Sequence, residues 1–338
     1  MKSTLVTLAV LLSSGMGGCV SQSSGLYDGA TTVTVENDTF TGSDSNYTNG
    51  LGVSWVSNDL DTYDPDSFVP RWGKFWSFLP FVSNDGYDTY ASWSVAQEMH
   101  TPDDITDPNP PLDDQPYAGV LYVDNTLYAL GERWRHAWNL RVGVVGPDSQ
   151  AEDVQKKYHE WTGSDEPMGW NTQLPNEAVL NVDYSASYLL AQGKMGKSAG
   201  WRIVPAFTAG LGNYFTGAGG GIYGEFGWNL VDAAGGAALR SGLNAASTVG
   251  VGPVEGWSVS FSGGYSGYGI VHYLPLDGTV FRDSRSVDTE SYIGMTTFGI
   301  SARHGGLVLS LLATFYDDTF ATERESPEFG TFNVSWFF

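Results

Sequence analysis

Short runs in which apolar and polar residues take opposite parities recur from about residue 30 to the end of the chain. Val33 and Val35 stand against Thr32, Thr34 and Glu36, and Leu51, Val53 and Trp55 against Gly50, Gly52 and Ser54. Trp138, Leu140, Val142 and Val144 oppose Asn139, Arg141 and Gly143, while Leu180, Val182 and Tyr184 oppose Asn181, Asp183 and Ser185. Ile203, Pro205, Phe207, Ala209 and Leu211 make one more apolar face. A period of two, with small or polar residues on one side, describes a strand with an apolar outer face and a polar inner one. Twelve such strands are predicted, at about 30–38, 48–57, 88–98, 118–130, 137–146, 177–191, 201–212, 219–229, 257–272, 289–302, 306–317 and 328–338. The even number suits a closed, single-chain transmembrane antiparallel β-barrel. The last run, Phe332-Asn333-Val334-Ser335-Trp336-Phe337-Phe338, keeps its apolar parity to a terminal phenylalanine, where the ends of most domains fray.

One stretch breaks the period. Gly146-Pro147-Asp148-Ser149-Gln150-Ala151-Glu152 runs on to Tyr158-His159-Glu160-Trp161-Thr162-Gly163, and its spacing predicts a short helix. Ser149 with Glu152 reads as a capping box, and Pro147 precedes it. Ala151, Val154, Tyr158 and Trp161 fall at helical spacing and predict the packed side; Glu152, Gln155 and His159 form the neighbouring stripe. A barrel needs no such helix to close, so a polar loop helix with a titratable group points to a chemical task.

With both termini periplasmic, the segments 39–47, 99–117, 147–176, 213–218, 273–288 and 318–327 face outside. The helix, expected to fold into the barrel mouth, then shares one extracellular rim with three polar clusters. These are Glu36-Asn37-Asp38-Thr39, Asn46-Tyr47-Thr48-Asn49-Gly50 and Asp113-Asp114-Gln115-Pro116-Tyr117. By parity Asp38 and Thr48 face the lumen, whereas Asn37 points outward. His136 is expected in a periplasmic turn. Two periplasmic segments are long: 58–87, an aromatic-rich amphipathic plug or interface segment, and 230–256.

Composition narrows the class. The chain has 338 residues, 43 glycines, 14% aromatic and only 16% charged residues, which suits a barrel better than a soluble mixed fold. No internal segment reaches the roughly 18 apolar residues of a spanning helix. A net charge of −22 argues against nucleic acid as a partner. Most carboxylates read as solvated loop groups, although oxygen-rich loops are also what Ca²⁺ prefers. Residues 1–19 read as an export signal, leaving 20–338 as the barrel. Cys19 is the only cysteine, which excludes an intramolecular disulfide and leaves lipoprotein-type and ordinary cleavage both open.

Several motifs, in this order, resemble the lipid A 3′-O-deacylase family of Gram-negative outer membranes. They are Val35-Glu36-Asn37-Asp38-Thr39, Asn46-Tyr47-Thr48-Asn49-Gly50, Asp114-Gln115-Pro116-Tyr117-Ala118-Gly119 and Gly146-Pro147-Asp148 leading through His159 to Trp161-Thr162-Gly163-Ser164-Asp165. Gly169-Trp170-Asn171-Thr172-Gln173-Leu174 completes the set. The resemblance implies a twelve-stranded barrel with a helix in an infolded extracellular loop. It further implies Ca²⁺-dependent hydrolysis of the ester that holds the 3′-linked acyloxyacyl chain of lipid A. The matching positions are Asn37, Asp38, Thr48 and His159. Asp165 stands where the family is expected to carry a glutamate, whose side chain is one methylene longer.

On these residue types, His159 is expected to activate water and Asp38, with Asn37 and Asp165, to place the cation. Thr48 would orient the histidine or the water. An imidazole titrates near neutrality, and a hard cation can stabilise the charge that develops on an ester carbonyl oxygen. Two other functions compete. An outer-membrane phospholipase would carry a His-x-Ser pair, and no histidine here is followed two residues later by serine. A non-catalytic pore or adhesin would fit the small lumenal residues and the long periplasmic segments.

Overall fold

The computed structural model describes residues 28–38, 46–62, 65–76, 78–82, 86–196, 198–230, 248–250 and 252–338. Residues 1–19, expected to serve export, lie outside them, with Cys19. The described residues form thirteen strands: β1 (Gly29–Asn37), β2 (Asn46–Ser57), β3 (Asp88–Thr101), β4 (Ala118–Leu130), β5 (Trp134–Val145), β6 (Glu177–Tyr188), β7 (Ala191–Met195), β8 (Ala199–Gly212), β9 (Phe215–Trp228), β10 (Val254–Tyr273), β11 (Tyr292–Gly305), β12 (Leu307–Tyr316) and β13 (Glu328–Phe337). The pairs are antiparallel, β1 lies beside β13, and β6 lies beside β8. A twelve-strand barrel is thereby closed.

β7 is the extra strand. β6 pairs with the later half of β8, Asn181 opposite Gly212, and β7 with its start, Ala191 opposite Ile203. The two share one stave, interrupted after Tyr188, which is why a single run at 177–191 is what the residue pattern predicts.

Inward positions are polar and answer one another across staves. Thr32 donates to Ser335 (2.8 Å), Thr34 to Asn333 (2.6 Å) and Thr331 to Glu36 (3.0 Å). Side chains pack across the lumen at two levels. Toward the long-loop end Glu98 accepts hydrogen bonds from Tyr122 (2.5 Å) and Tyr214, and Arg141 makes two 2.9 Å bonds to Asp124. Ala118, Val120, Val145, Leu174, Phe215 and Leu274 pack beside this group. At the end that carries the chain termini, Val249 of the second long segment packs on inward Val56 and Tyr128.

Outward positions expose Leu51, Val123, Val142, Leu180, Phe207, Leu211, Phe261 and Phe298, an apolar wall of the kind that faces lipid. The first long segment is not a plug. Its helix α1 (Phe68–Phe75) lies outside the barrel, where Leu60 and Val82 pack on outward Ala91 and Leu127. His136 also departs from expectation. It sits in β5, facing outward and stacked on Phe81 with ring centroids 4.0 Å apart, because β5 begins at Trp134 rather than Ala137.

Candidate active site

The loop between β5 and β6 carries a 3-10 turn, Pro147–Ser149, followed by helix α2, Ala151–Thr162. No capping box forms. Gln150, in the left-handed region at φ 60°, occupies the N-cap without a side-chain bond, because Ser149 is drawn down onto the wall. Ser149 is fully buried and its carbonyl accepts Gln97 Nε2 at 2.6 Å. The packed side keeps Ala151 and Val154 of the apolar stripe but not its aromatic members. Tyr158 and Trp161 are exposed, Trp161 at 82%, and the buried line is Ala151, Gln155 and His159, one residue per turn.

The wall beneath this helix is the outer one. Glu98 turns into the lumen, so its neighbours Gln97 and Met99 project outward. Met99, Tyr117, Ala151 and Trp170 form one buried cluster with Val154. α2 is therefore docked on the lipid-facing side of β3 and β4, not folded into the mouth. Gly119 makes this possible: a Cβ there would overlap Ala151 Cβ and Ser149 Oγ. The helix is held at both ends. Gly146 N–H donates to Gly119 (2.9 Å), Met168 N–H to Ile105 (2.8 Å) and Leu174 N–H to Tyr117 (2.9 Å).

At its C-terminus Gly163 adopts φ 78°, and the N–H groups of Gly163 and Ser164 return to the His159 carbonyl. This reversal brings the Asp165 carbonyl oxygen to 2.5 Å from His159 Nδ1. A carbonyl oxygen only accepts, so Nδ1 carries the proton and the neutral ring presents Nε2 as its basic nitrogen. The imidazole is buried.

One turn earlier, Gln155 is oriented by the same logic. Trp170 Nε1 donates to Gln155 Oε1 at 2.6 Å, which fixes the amide and leaves Nε2, buried and without a hydrogen-bond partner among the described residues, as a directed donor. The residue pattern placed Gln155 on the histidine stripe but gave it no role, since the Trp170 indole reaches it only through the fold.

The remaining predicted residues occupy the neighbouring staves. Asn37 pairs with Asn49 across β1 and β2, Asn49 with Met99, and Met99 with Gly119, so all four stand in one outward row. Asn37 is buried although it points away from the lumen. Its outward parity, which set it apart from Asp38 and Thr48 in the sequence, directs it to the face that bears α2. Asp38 stands one residue past the end of β1 and is wholly buried. Thr48 lies at a register irregularity between Tyr47 and Asn49, which breaks the alternation behind its expected inward orientation, and its side chain is outside the described residues. Asp165 presents its carboxylate to solvent and its backbone oxygen to His159.

For a divalent cation the donor chemistry fits in part. The buried Asp38 carboxylate and the Asn37 amide oxygen are hard donors of the kind Ca²⁺ takes. Among the described residues no three His, Cys, Asp or Glu side chains converge, so backbone and substrate oxygens would have to complete the shell.

A closed barrel with an apolar outer wall and a helix docked on that wall is the architecture of an outer-membrane protein. The family model described as outer membrane protein LpxR matches residues 5–338, and the chain belongs to that family. Among solved structures, LpxR from Salmonella typhimurium matches with a TM-score of 0.72 at 18% identity, covering 91% of this chain and 100% of that one. The β domain of the Bordetella autotransporter BrkA matches with a TM-score of 0.42 at 11% identity, over 91% and 97% of the two chains. The COG4313 outer membrane channel from Pseudomonas putida F1 gives 0.41 at 11%, over 95% and 100%. No curated protein sequence matches.

Proposed function

We propose that this protein is a lipid A deacylase that hydrolyses the ester of the 3′-linked acyloxyacyl chain, with Ca²⁺ as cofactor, at the extracellular rim of the outer membrane. One observation carries the reading. A histidine whose tautomer is set by a backbone carbonyl lies on the wall-facing side of a helix docked on the lipid-facing wall of an LpxR-family barrel, where a membrane lipid would meet it. His159 Nε2 takes a proton from water, and the resulting hydroxide adds to the ester carbonyl carbon. Gln155 Nε2 is directed to donate to the carbonyl oxygen as charge gathers there. Collapse breaks the bond to the sugar oxygen, and the proton held at Nε2 passes to that leaving oxygen. Asp38 and Asn37 would hold the cation, which when bound supplies Lewis-acid stabilisation of the developing charge. The buried interface between α2 and the wall excludes bulk water from the histidine.

A pore is the competing reading, and the tyrosine, arginine and carboxylate packing across the lumen, with Val249 at the other mouth, weighs against it. The test is incubation of the purified barrel with lipopolysaccharide and Ca²⁺, followed by mass spectrometry of lipid A. The 3′-acyloxyacyl mass should disappear with wild type and persist with His159→Ala or with chelator. Unchanged lipid A with wild type, together with single-channel conductance, would establish the pore instead.

A further inference from the structure

The segment around α1 has no part in the chemistry proposed above, and it lies where a soluble strap has no reason to be. It crosses the outer wall of β2, β3 and β4 at the end that carries the termini. Trp72 Nε1 donates to Asn125 Oδ1 at 2.7 Å, and Trp138 Nε1 to the Pro80 carbonyl at 3.1 Å. Asn125 faces outward, so the strap satisfies a polar group that bare wall would present to lipid. Phe68 lies against Trp93, with centroids 6.2 Å apart, and Trp93 stacks on Trp55. The other side of the strap is apolar and open: Phe68 is 67% exposed, Phe75 64% and Phe78 71%.

Height along the wall decides what covers that open side. On β3 the strap reaches Trp93 and the α2 turn reaches Gln97, which leaves one bare outward residue, Val95, between them. Four residues of strand span about 13 Å, or about 10 Å of height at a barrel tilt near 40°. The apolar band of such barrels is about 25 Å tall. The far wall of this protein keeps to that scale: on β12 Leu307, Leu309, Leu311 and Phe315 are all exposed, about 20 Å of height by the same conversion. The bare wall between the strap and the α2 turn is thus less than half of that band, and the strap lies at the level where its lower edge falls. Elsewhere at this level the strands supply the aromatic girdle themselves, through exposed Trp134, Trp228 and Trp257. On β2 to β4 the corresponding Trp55 and Trp93 are covered, and the strap phenylalanines stand in their place.

We infer that the strap from Leu60 to Val82 is a membrane-docking element whose partner is a phospholipid leaflet, the periplasmic one in the orientation proposed above. Its phenylalanines lie among acyl chains, and exposed Arg71 and Lys74 lie among headgroup phosphates. It completes the girdle beneath the staves that carry α2.

The test uses the full barrel with Cys19→Ser, refolded into vesicles of phosphatidylethanolamine and phosphatidylglycerol. A nitroxide label is placed at Phe75→Cys or Phe78→Cys, with Val142→Cys as the lipid-facing reference and Asp104→Cys as the aqueous one. Collision with oxygen is compared with collision with a water-soluble nickel complex. Both strap labels should behave as the label at 142 does, with oxygen contact favoured over nickel by several-fold. Nickel contact at the level of position 104 would put the strap in water and overturn the inference. Exclusion of both reagents, with dipolar broadening between labels, would show the face covered by a second copy and overturn it equally.

Discussion

Replacing Gly119 by alanine should uncouple the helix from the wall while leaving the barrel intact. The added methyl would overlap Ala151 Cβ and Ser149 Oγ. Carbon atoms settle at about 3.5–4.0 Å, so relief requires the helix start to lift from the wall by about 1 Å. Overpacking of this kind costs about 1–3 kcal/mol, too little to unfold a barrel closed around its full circumference. Activity should fall further. His159 is two turns along the same helix, and a displacement of about 1 Å of a catalytic group costs on the order of 10²-fold. The assay is the initial rate of lipid A mass loss, with heat-modifiable mobility in detergent gels as the check on folding. Ala151→Gly in the same chain removes the methyl that Gly119→Ala strikes, and should recover a large part of the rate despite its own cost of about 1 kcal/mol in the helix. A Gly119→Ala protein with wild-type rate, or a double variant no better than the single, would refute the docking of α2 through this contact.

Trp170→Phe keeps a ring against Tyr117 but removes the indole donor that orients Gln155, so kcat should drop about tenfold with KM little changed. Equal loss in KM would point to a structural role alone. Asp38→Asn should raise the Ca²⁺ concentration needed for half-maximal activity more than tenfold, read from a metal titration, and an unchanged titration would remove Asp38 from the metal site. Glu323, in the loop between β12 and β13, accepts hydrogen bonds from Thr319 N–H and Oγ1, yet burial pushes its carboxyl up to about 7. The folded loop therefore holds the proton more tightly than the unfolded chain does. Its stability should decline as pH rises from about 4.5 through 7, by of order 1 kcal/mol once the exposure of the group is allowed for. The protection of amides 319–321, taken relative to their intrinsic exchange rates, should fall between pH 5.5 and 8, and Glu323→Gln should abolish that fall; identical protection profiles would show that the carboxyl does not govern the loop.

The staves were legible because a lipid-facing wall imposes one rule on every strand. Val33, Val53, Val95 and Val142 must be apolar whatever their partners, and a period of two survives without tertiary knowledge. β7 was not legible, because Leu189 and Leu190 keep the apolar run continuous through the point where one stave changes strands. His136 shows the same limit, since a turn of three residues, 131–133, is invisible when the flanking residues continue the alternation.

The site divides along a different line. Residue types and motif order brought out His159, Asn37, Asp38 and Thr48, because their chemistry is local to each side chain. Which side of the wall they serve is a property of the docked helix, and a helical wheel cannot supply it. Ala151 and Val154 of the apolar stripe pack on the wall, yet its aromatic members Tyr158 and Trp161 stay outside, whereas Gln155 and His159 are buried. On a lipid-facing wall that arrangement is stable, since aromatic rings are solvated by acyl chains at little cost and the polar pair must find partners inside. Trp170 and the Asp165 carbonyl are those partners. The burial of this pair is therefore a property of the docked helix, which turns His159 Nδ1 to the Asp165 carbonyl and Gln155 Oε1 to the Trp170 indole.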